Sequence, residues 1–211
     1  MKRAAAVLLL LAGCGGGAGS VLEEVPPELR GTASVVPPVG DRHPYADPSE
    51  VEVGRWASYR DKERSFTLAV VGRDAQGTWI EVVEEGAASA RLVGPDGVVL
   101  KAYYQEPGGP AREQPLEQLA GASTSKRTEA GREESEEKVK VGARELTAKA
   151  VRLRLEDLEG RLSRETWLWH PDVPPIYAGS PHGGLVRRES PEGRVELLDF
   201  GAGAKPKVVR P

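Results

Sequence analysis

Residues 146–169 read LTAKAVRLRL, then EDLEG, then RLSRETWLW. Apolar and polar side chains alternate through the first segment, which is the two-residue repeat of a β-strand with one buried face. Val151, Leu153 and Leu155 share one face, whereas Ala150, Arg152 and Arg154 share the other. The acidic, glycine-ended segment 156–160 favours a turn, so residues 161–169 return as a second strand. The sequence therefore predicts an antiparallel hairpin here.

Other short segments with strand character lie between Gly, Pro and Asp turns. They are residues 51–60, 65–71, 78–84, 90–93, 98–104, 185–189 and 195–200. Long helices do not alternate with them, which argues against a doubly wound α/β fold. We therefore expect a mainly β domain with little helix, built as a curved antiparallel sheet in a half-barrel or a sandwich.

The pattern breaks between residues 105 and 138. Residues 116–120 could form a short helix, and residues 126–138 are a dense run of charges. Leu, Ile and Phe are absent from that run, so a charged loop is favoured over a solvated helix.

The amino terminus has the layout of an export signal. Two basic residues, Lys2 and Arg3, precede an uncharged stretch from Ala4 to Ala12. A stretch of about nine residues is too short to span a bilayer, which takes roughly 20. It is therefore expected to direct export and not to remain as an anchor.

The end of this segment, Leu11-Ala12-Gly13-Cys14, resembles the lipobox of bacterial lipoproteins. The resemblance implies cleavage before Cys14, a diacylglycerol on its sulfur and an acylated new amino group. Acyl chains hold a protein on a membrane, at about 0.8 kcal/mol for each buried methylene. Gly15 follows the cysteine in place of an aspartate, which in this family implies delivery to the outer membrane, facing the periplasm. An ordinary cleaved signal with an incidental cysteine is the alternative.

These features divide the chain into a signal (1–13), a lipidated Cys14 with a tether (14–50), a single β-rich domain (51–204) and a tail (205–211). The tether is rich in Gly and Pro, and proline pairs favour an extended, semi-rigid spacer. Packing of part of it on the domain is an equal alternative.

The formal net charge of −3, with basic and acidic residues interspersed, excludes the footprint of a nucleic-acid-binding protein.

The segment 139–201 is similar to the carboxy-terminal part of many bacterial lipoproteins and, through them, to the LolA-type lipoprotein carriers. The similarity lies in five short stretches: 139–146, 165–169, 173–175, 184–186 and 196–201. It implies a curved antiparallel half-barrel around a lipid cavity. It implies a binding protein and not an enzyme, and it assigns no functional residue.

Candidate catalytic and metal-binding groups are sparse. His170, Asp172 and His182 are the best metal ligands, but a zinc site needs three or four ligands and exposed loop residues are the favoured interpretation. Residues 179–183 place Ser180 near His182, without the spacing of a nucleophile elbow. Glu156, Asp157 and Glu159 could be paired carboxylates, but they lie in the predicted turn. We expect no enzyme activity, no metal and no cofactor.

Trp167 and Trp169 are two residues apart and should point to one face of a strand. Core packing is favoured over a ligand-binding face, because large aromatic residues are scarce. The sequence thus predicts a non-enzymatic, membrane-anchored lipoprotein of the cell envelope that binds a lipid or another hydrophobic ligand in its concave sheet. A protein-interaction or structural module of the envelope, acting through a sheet edge or the charged loop, is the second hypothesis. A hydrolase with residues scattered in sequence is the third.

Overall fold

The hairpin predicted from residues 146–169 is present in the computed structural model, which describes residues 48–95, 97–116 and 127–208. Its first strand pairs antiparallel with its second, with Val151 opposite Trp167 and Leu153 opposite Glu165. Asp157 closes the turn, because its carboxylate accepts hydrogen bonds from the backbone N–H groups of Glu159 and Arg161, each at 2.9 Å.

The described residues form one antiparallel sheet. The strands are β1 (Trp56–Asp61), β2 (Arg64–Arg73), β3 (Thr78–Glu84), β4 (Ala87–Val93), β5 (Val99–Gln105), β6 (Arg112–Glu113), β7 (Arg127–Val141), β8 (Arg144–Asp157), β9 (Leu162–His170), β10 (Gly179–Ser180), β11 (Gly183–Ser190) and β12 (Gly193–Gly201). Their order is β6-β5-β4-β3-β2-β1-β12-β11-β9-β8-β7, and β10 pairs with β11. The prediction of a mainly β, antiparallel fold is confirmed.

The half of the sheet from β7 to β12 is curled. Arg144 in β8 donates a hydrogen bond to the carbonyl oxygen of Phe200 in β12 at 3.0 Å, although β9 and β11 lie between these strands. Inside the curl, the Tyr59 hydroxyl donates to the carbonyl oxygen of Leu185 at 3.1 Å. We call the face that carries Tyr59 and Trp167 the inner face, and the opposite one the outer face.

Strand β8 is buried on the outer face in its first half and on the inner face in its second. Leu146, Ala148 and Ala150 are buried, and then Val151, Leu153 and Leu155 are buried in their place. On the outer face, an ion pair between Arg187 of β11 and Glu137 of β7 crosses the two strands between them. Ala148 stands directly opposite Glu137, and Ala150 stands opposite Leu168, which pairs with Arg187, so small side chains of β8 lie along its path.

The charged segment is not a loop. Residues 127–141 form β7, the longest strand of the described chain, so the expectation of a charged loop over 105–138 is wrong for this part. The reason is tertiary: β7 pairs with β8 along its whole length, and opposite charges meet across the ladder, as in Glu134–Lys149 and Lys138–Glu145. Leu116 lies in a 3-10 turn, and the rest of the predicted helix at 116–120 lies outside the described residues.

The carboxy-terminal segment packs on the outer face, which corrects its assignment as a tail from residue 205. Val208 is buried against Ala88 and Ala90 in a second, smaller core. The buried Glu81 carboxylate accepts hydrogen bonds from the backbone N–H groups of Lys207 and Val208 at 2.9–3.0 Å.

At the other end of the domain, the predicted strand over 51–60 begins later, at Trp56, after a turn with Gly54 at φ +93°.

Candidate functional site

A buried carboxylate lies on the inner face at the centre of the β7–β12 half. Glu165 of β9 has a fully buried side chain and accepts hydrogen bonds from three donors. Arg127 of β7 donates at 2.9 Å, the Trp167 indole N–H at 3.2 Å, and Arg188 of β11 at 3.2–3.3 Å. The Arg188 guanidinium also lies 4.9 Å from the centre of the Trp167 ring. Buried charges persist only when paired in this way.

Trp167 and Trp169 share the inner face, as their spacing predicts. Their rings stack with centroids 5.4 Å apart and planes 7° apart. They expose only 1% and 6% of their surface, and both belong to the main core cluster. In this structure neither ring is accessible to a ligand.

A second cluster of aromatic rings fills the inner face on the other side of the curl. Tyr59 lies 5.7 Å from Phe66 and 5.0 Å from Tyr177, measured between ring centroids. Burial raises the pKa of the Tyr177 hydroxyl to about 12, against the opposing charge of Arg188. Burial likewise raises the pKa of the Tyr59 hydroxyl. These phenols therefore stay neutral and act as packing groups.

A polar groove of about 720 Å³ lies at one end of the sheet, between the β8–β9 turn and the β11–β12 turn. Arg127, Arg161 and Arg164 line it together with Asp157, Glu189 and Glu192, and the hydroxyls of Ser163, Thr166 and Ser190 add further polar groups. A second cavity of about 410 Å³ lies beside β5 and β6. Neither of these two cavities is lined by the aromatic core.

Two acids of the groove, Glu192 and Asp157, are held ionised. Although burial raises the pKa of the Glu192 carboxyl, the hydrogen bond from Arg127 and the charge of that arginine bring it down to about 2. The side-chain hydrogen bond from Arg161 lowers the pKa of Asp157. Glu192 and Asp157 are therefore anions held by arginines, and they lack the raised pKa of a general acid.

The outer edge of β7 is the longest edge of the sheet. No described strand pairs with it, because β7 is the last strand in the order. Most of its side chains are exposed, and the acids Glu133 and Glu136 make no ion pair with any described residue. An open strand edge offers backbone N–H and C=O groups to another chain.

The candidate metal ligands and nucleophile, which the sequence analysis disfavoured, lie between the end of β9 and the start of β11. The Asp172 backbone N–H donates to Nδ1 of His170 at 3.2 Å, and the His182 backbone N–H donates to Oγ of Ser180 at 3.0 Å. Both contacts are local turn geometry. Within the described part of the chain, no group of three His, Cys, Asp or Glu side chains could hold a metal ion.

The predicted lipidation site, Cys14, and the peptidase-recognition residues Leu11, Ala12 and Gly13 lie outside the described residues. In the described ranges, no helix has the length and apolarity needed to cross a membrane. No model of a known protein family matches this chain, and no curated protein and no solved structure shows significant similarity to it.

The sequence analysis did not predict two buried carboxylates. Each lies in a sequence pattern that could have identified it. Glu165 lies two residues before Trp167 and four before Trp169, so this acid is on the apolar face of the strand. Glu81 has the same relation to Trp79 and Val83. An acid at a core position predicts a buried partner.

Proposed function

We propose that this protein is a non-enzymatic lipoprotein of the bacterial cell envelope, whose β domain binds another envelope protein along the open edge of β7. The observation that carries the proposal is that edge: a strand of 15 residues, Arg127–Val141, at the end of the sheet order. A partner in extended conformation can add to such an edge through backbone hydrogen bonds, while side chains at alternate positions select it.

The charge of β7 gives the partner its chemistry. Charges discourage indiscriminate pairing of an exposed edge. Several acids are already satisfied within the sheet, as Glu134 is by Lys149 and Glu137 by Arg152. Glu133 and Glu136 point to opposite faces and remain open for basic groups of a partner strand. We therefore infer a partner segment with basic residues.

The packing of the inner face favours this role over lipid carriage. A carrier needs an apolar cavity of several hundred Å³ for acyl chains. The positions that would line it in a half-barrel hold stacked, buried rings, Trp167 and Trp169. The 720 Å³ groove is lined largely by charged side chains and by hydroxyls. Binding of a lipid or other hydrophobic ligand in the concave sheet is thus the weaker proposal, and bound lipid in the purified protein would restore it.

The membrane placement depends on lipid at Cys14, and Gly15 supports the outer membrane. The mature protein is expected to begin at Cys14 and to carry acyl chains, seen by intact mass. Cys14→Ser is expected to remove the acyl mass and move the protein from the membrane to the soluble fraction. A wild-type protein with a free thiol would refute the anchor.

The edge is tested with a photoreactive amino acid placed in β7 at position 133 or 136, in cells that produce the full chain. Both positions are exposed, and Glu106 in the β5–β6 turn is a matched exposed control. We expect a discrete crosslinked protein from both β7 positions and none from position 106. Identical products from all three positions, or none from β7, would refute the proposal.

A pair of proline variants tests backbone pairing. Successive strand residues direct their N–H groups to opposite sides, so Glu133→Pro and Glu134→Pro differ in which side loses a donor. The variant that retains the wild-type melting temperature has lost only the outward donor. It is expected to lose the crosslink, and its retention would show that the partner does not add to this edge.

A further inference from the structure

Two arginines stand directly opposite each other on the outer face. Arg154 of β8 pairs with Arg164 of β9 in the ladder, and both side chains are exposed. Residues directly opposite in an antiparallel pair have Cβ atoms about 4.5–5.5 Å apart, where like charges destabilise the sheet. The strands thus hold two positive charges together at a net cost.

The neighbouring arginines differ from this pair, since each is matched with a carboxylate. They are Arg127, Arg132, Arg152, Arg161, Arg187 and Arg194. Arg154 and Arg164 form no ion pair with any residue that the structure describes. Two arginines with free donors therefore occupy opposite positions of neighbouring strands, among arginines that are each matched with a carboxylate.

The third strand supplies no ion-pair partner to Arg154 in this structure. The β7 residue opposite Arg154 is Gly131, although glutamates stand at nearby positions 129, 133 and 134. A Cβ atom at Gly131 would lie 3.0 Å from Nε of Arg154, so the guanidinium fills the space above this glycine. A side chain at position 131 would have to displace the arginine.

The pair adjoins the polar groove. Arg164 is part of the groove wall, and Thr166, two residues away on the same face, is another part. A ligand seated in the groove can therefore extend an anionic group to both arginines. Guanidinium forks bind phosphate oxygens in pairs, with geometry that lysine lacks.

We infer that Arg154 and Arg164 form a binding site for a phosphate group, presented by a small phosphorylated ligand or by a phospholipid headgroup. The site lies on the outer face and does not depend on the edge of β7. Its oxyanion would take hydrogen bonds from both guanidinium groups and relieve their repulsion. The hydroxyls of the groove offer contacts to the rest of the ligand.

The test is isothermal titration of the full chain, purified in a neutral detergent at low ionic strength. The probes are inorganic phosphate and dihexanoyl phosphatidylglycerol, with dihexanoyl glycerol as the lipid control without phosphate. Phosphate binding by both probes supports a shared phosphate site. Binding of the phospholipid alone supports it too and identifies a headgroup as the source. Equal binding of the phosphate-free lipid, or no detectable binding of either phosphate probe, overturns the inference.

Variants distinguish binding at a specific site from attraction by the net charge of the protein. Arg164→Gln and Arg154→Gln are each expected to weaken phosphate binding about tenfold, and the double variant to abolish it. The control, Arg60→Gln with Arg132→Gln, removes two exposed and ion-paired arginines and the same charge. It is expected to change the affinity by no more than about twofold. An equal loss in control and double variant would mean general charge attraction and would overturn the site.

Protein stability gives an independent readout. Phosphate is expected to raise the melting temperature of the wild type and to leave that of the double variant unchanged. Without phosphate, Arg164→Gln should melt at or above the wild type, because it removes the repulsion. A clear drop would show that the two arginines stabilise the sheet, which contradicts the inference.

Discussion

Replacing Glu165 with glutamine is expected to lower the free energy of unfolding by about 3–5 kcal/mol, the range for removing one partner of a buried ion pair. The Glu165 side chain has no solvent exposure, and the side chains of Arg188 and Arg127 expose only 7% and 19%. Glutamine keeps the shape but carries no charge, so Arg188 stays buried without a counter-ion. Such a loss is a large part of the 5–15 kcal/mol that stabilises a typical domain, on the order of a third.

The assay is urea unfolding followed by tryptophan fluorescence, since Trp167 lies at the site. With a slope of roughly 2 kcal/mol per M, the midpoint should fall by about 2 M without a change in slope. The control, Glu159→Gln, removes an acid whose side chain is 70% exposed and pairs with Arg161. Its midpoint is expected to stay close to the wild type, because exposed ion pairs contribute little.

A second variant tests the cause. Glu165→Gln combined with Arg188→Met removes both buried charges and is expected to recover at least half of the lost stability, since an apolar pair of similar volume can replace a buried ion pair. The reasoning is refuted if Glu165→Gln unfolds at the same urea concentration as the Glu159 control. It is also refuted if the loss of unfolding free energy in the double variant exceeds the sum of the losses in Glu165→Gln and Arg188→Met.

Three further perturbations follow from the geometry. Glu81→Gln should cost about 1–3 kcal/mol and speed amide hydrogen exchange at Lys207 and Val208, because the carboxylate that accepts their N–H groups is lost; unchanged exchange would mean that the terminal segment is held otherwise. The folded-state pKa of Glu192, about 2, is below the usual 4.5, so its stabilisation is full above pH 4.5 and is lost as the pH falls towards 2. Glu192→Gln should therefore flatten the acid limb of a stability–pH curve by about 1–2 kcal/mol, after a reduction for solvent screening, and an identical limb would contradict the assignment. Gly184→Ala should cost about 3 kcal/mol or more in thermal unfolding, since its Cβ would lie 2.5 Å from the carbonyl oxygen of Pro174.

Much of the strand pattern could be predicted from local sequence. The two-residue repeat and the turn at 156–160 place β8 and β9 within a residue or two of their observed bounds. The predicted strand over 78–84 coincides with β3. These strands can be recognised from local sequence because each has one apolar face, and burial of that face sets the register.

Much less of the candidate site could be predicted from the sequence. Strand β7 has exposed, charged side chains on both faces, so no hydrophobic repeat marks it; its strand form depends on pairing with β8. The Glu165 cluster joins residues from β7, β9 and β11, and the pairing of Arg154 with Arg164 depends on a register that no local pattern encodes. For Cys14 the reverse holds: the prediction of a lipid anchor comes from sequence alone.

The sequence by itself determined the strands that have one apolar face and the turns between them, because alternation and turn residues act over a few neighbours. Only the tertiary structure decided the order of the strands, the curl that buries the paired tryptophans, and which charges meet. Those outcomes depend on contacts between residues far apart in the chain. Their free energy exists only once the sheet has brought them together.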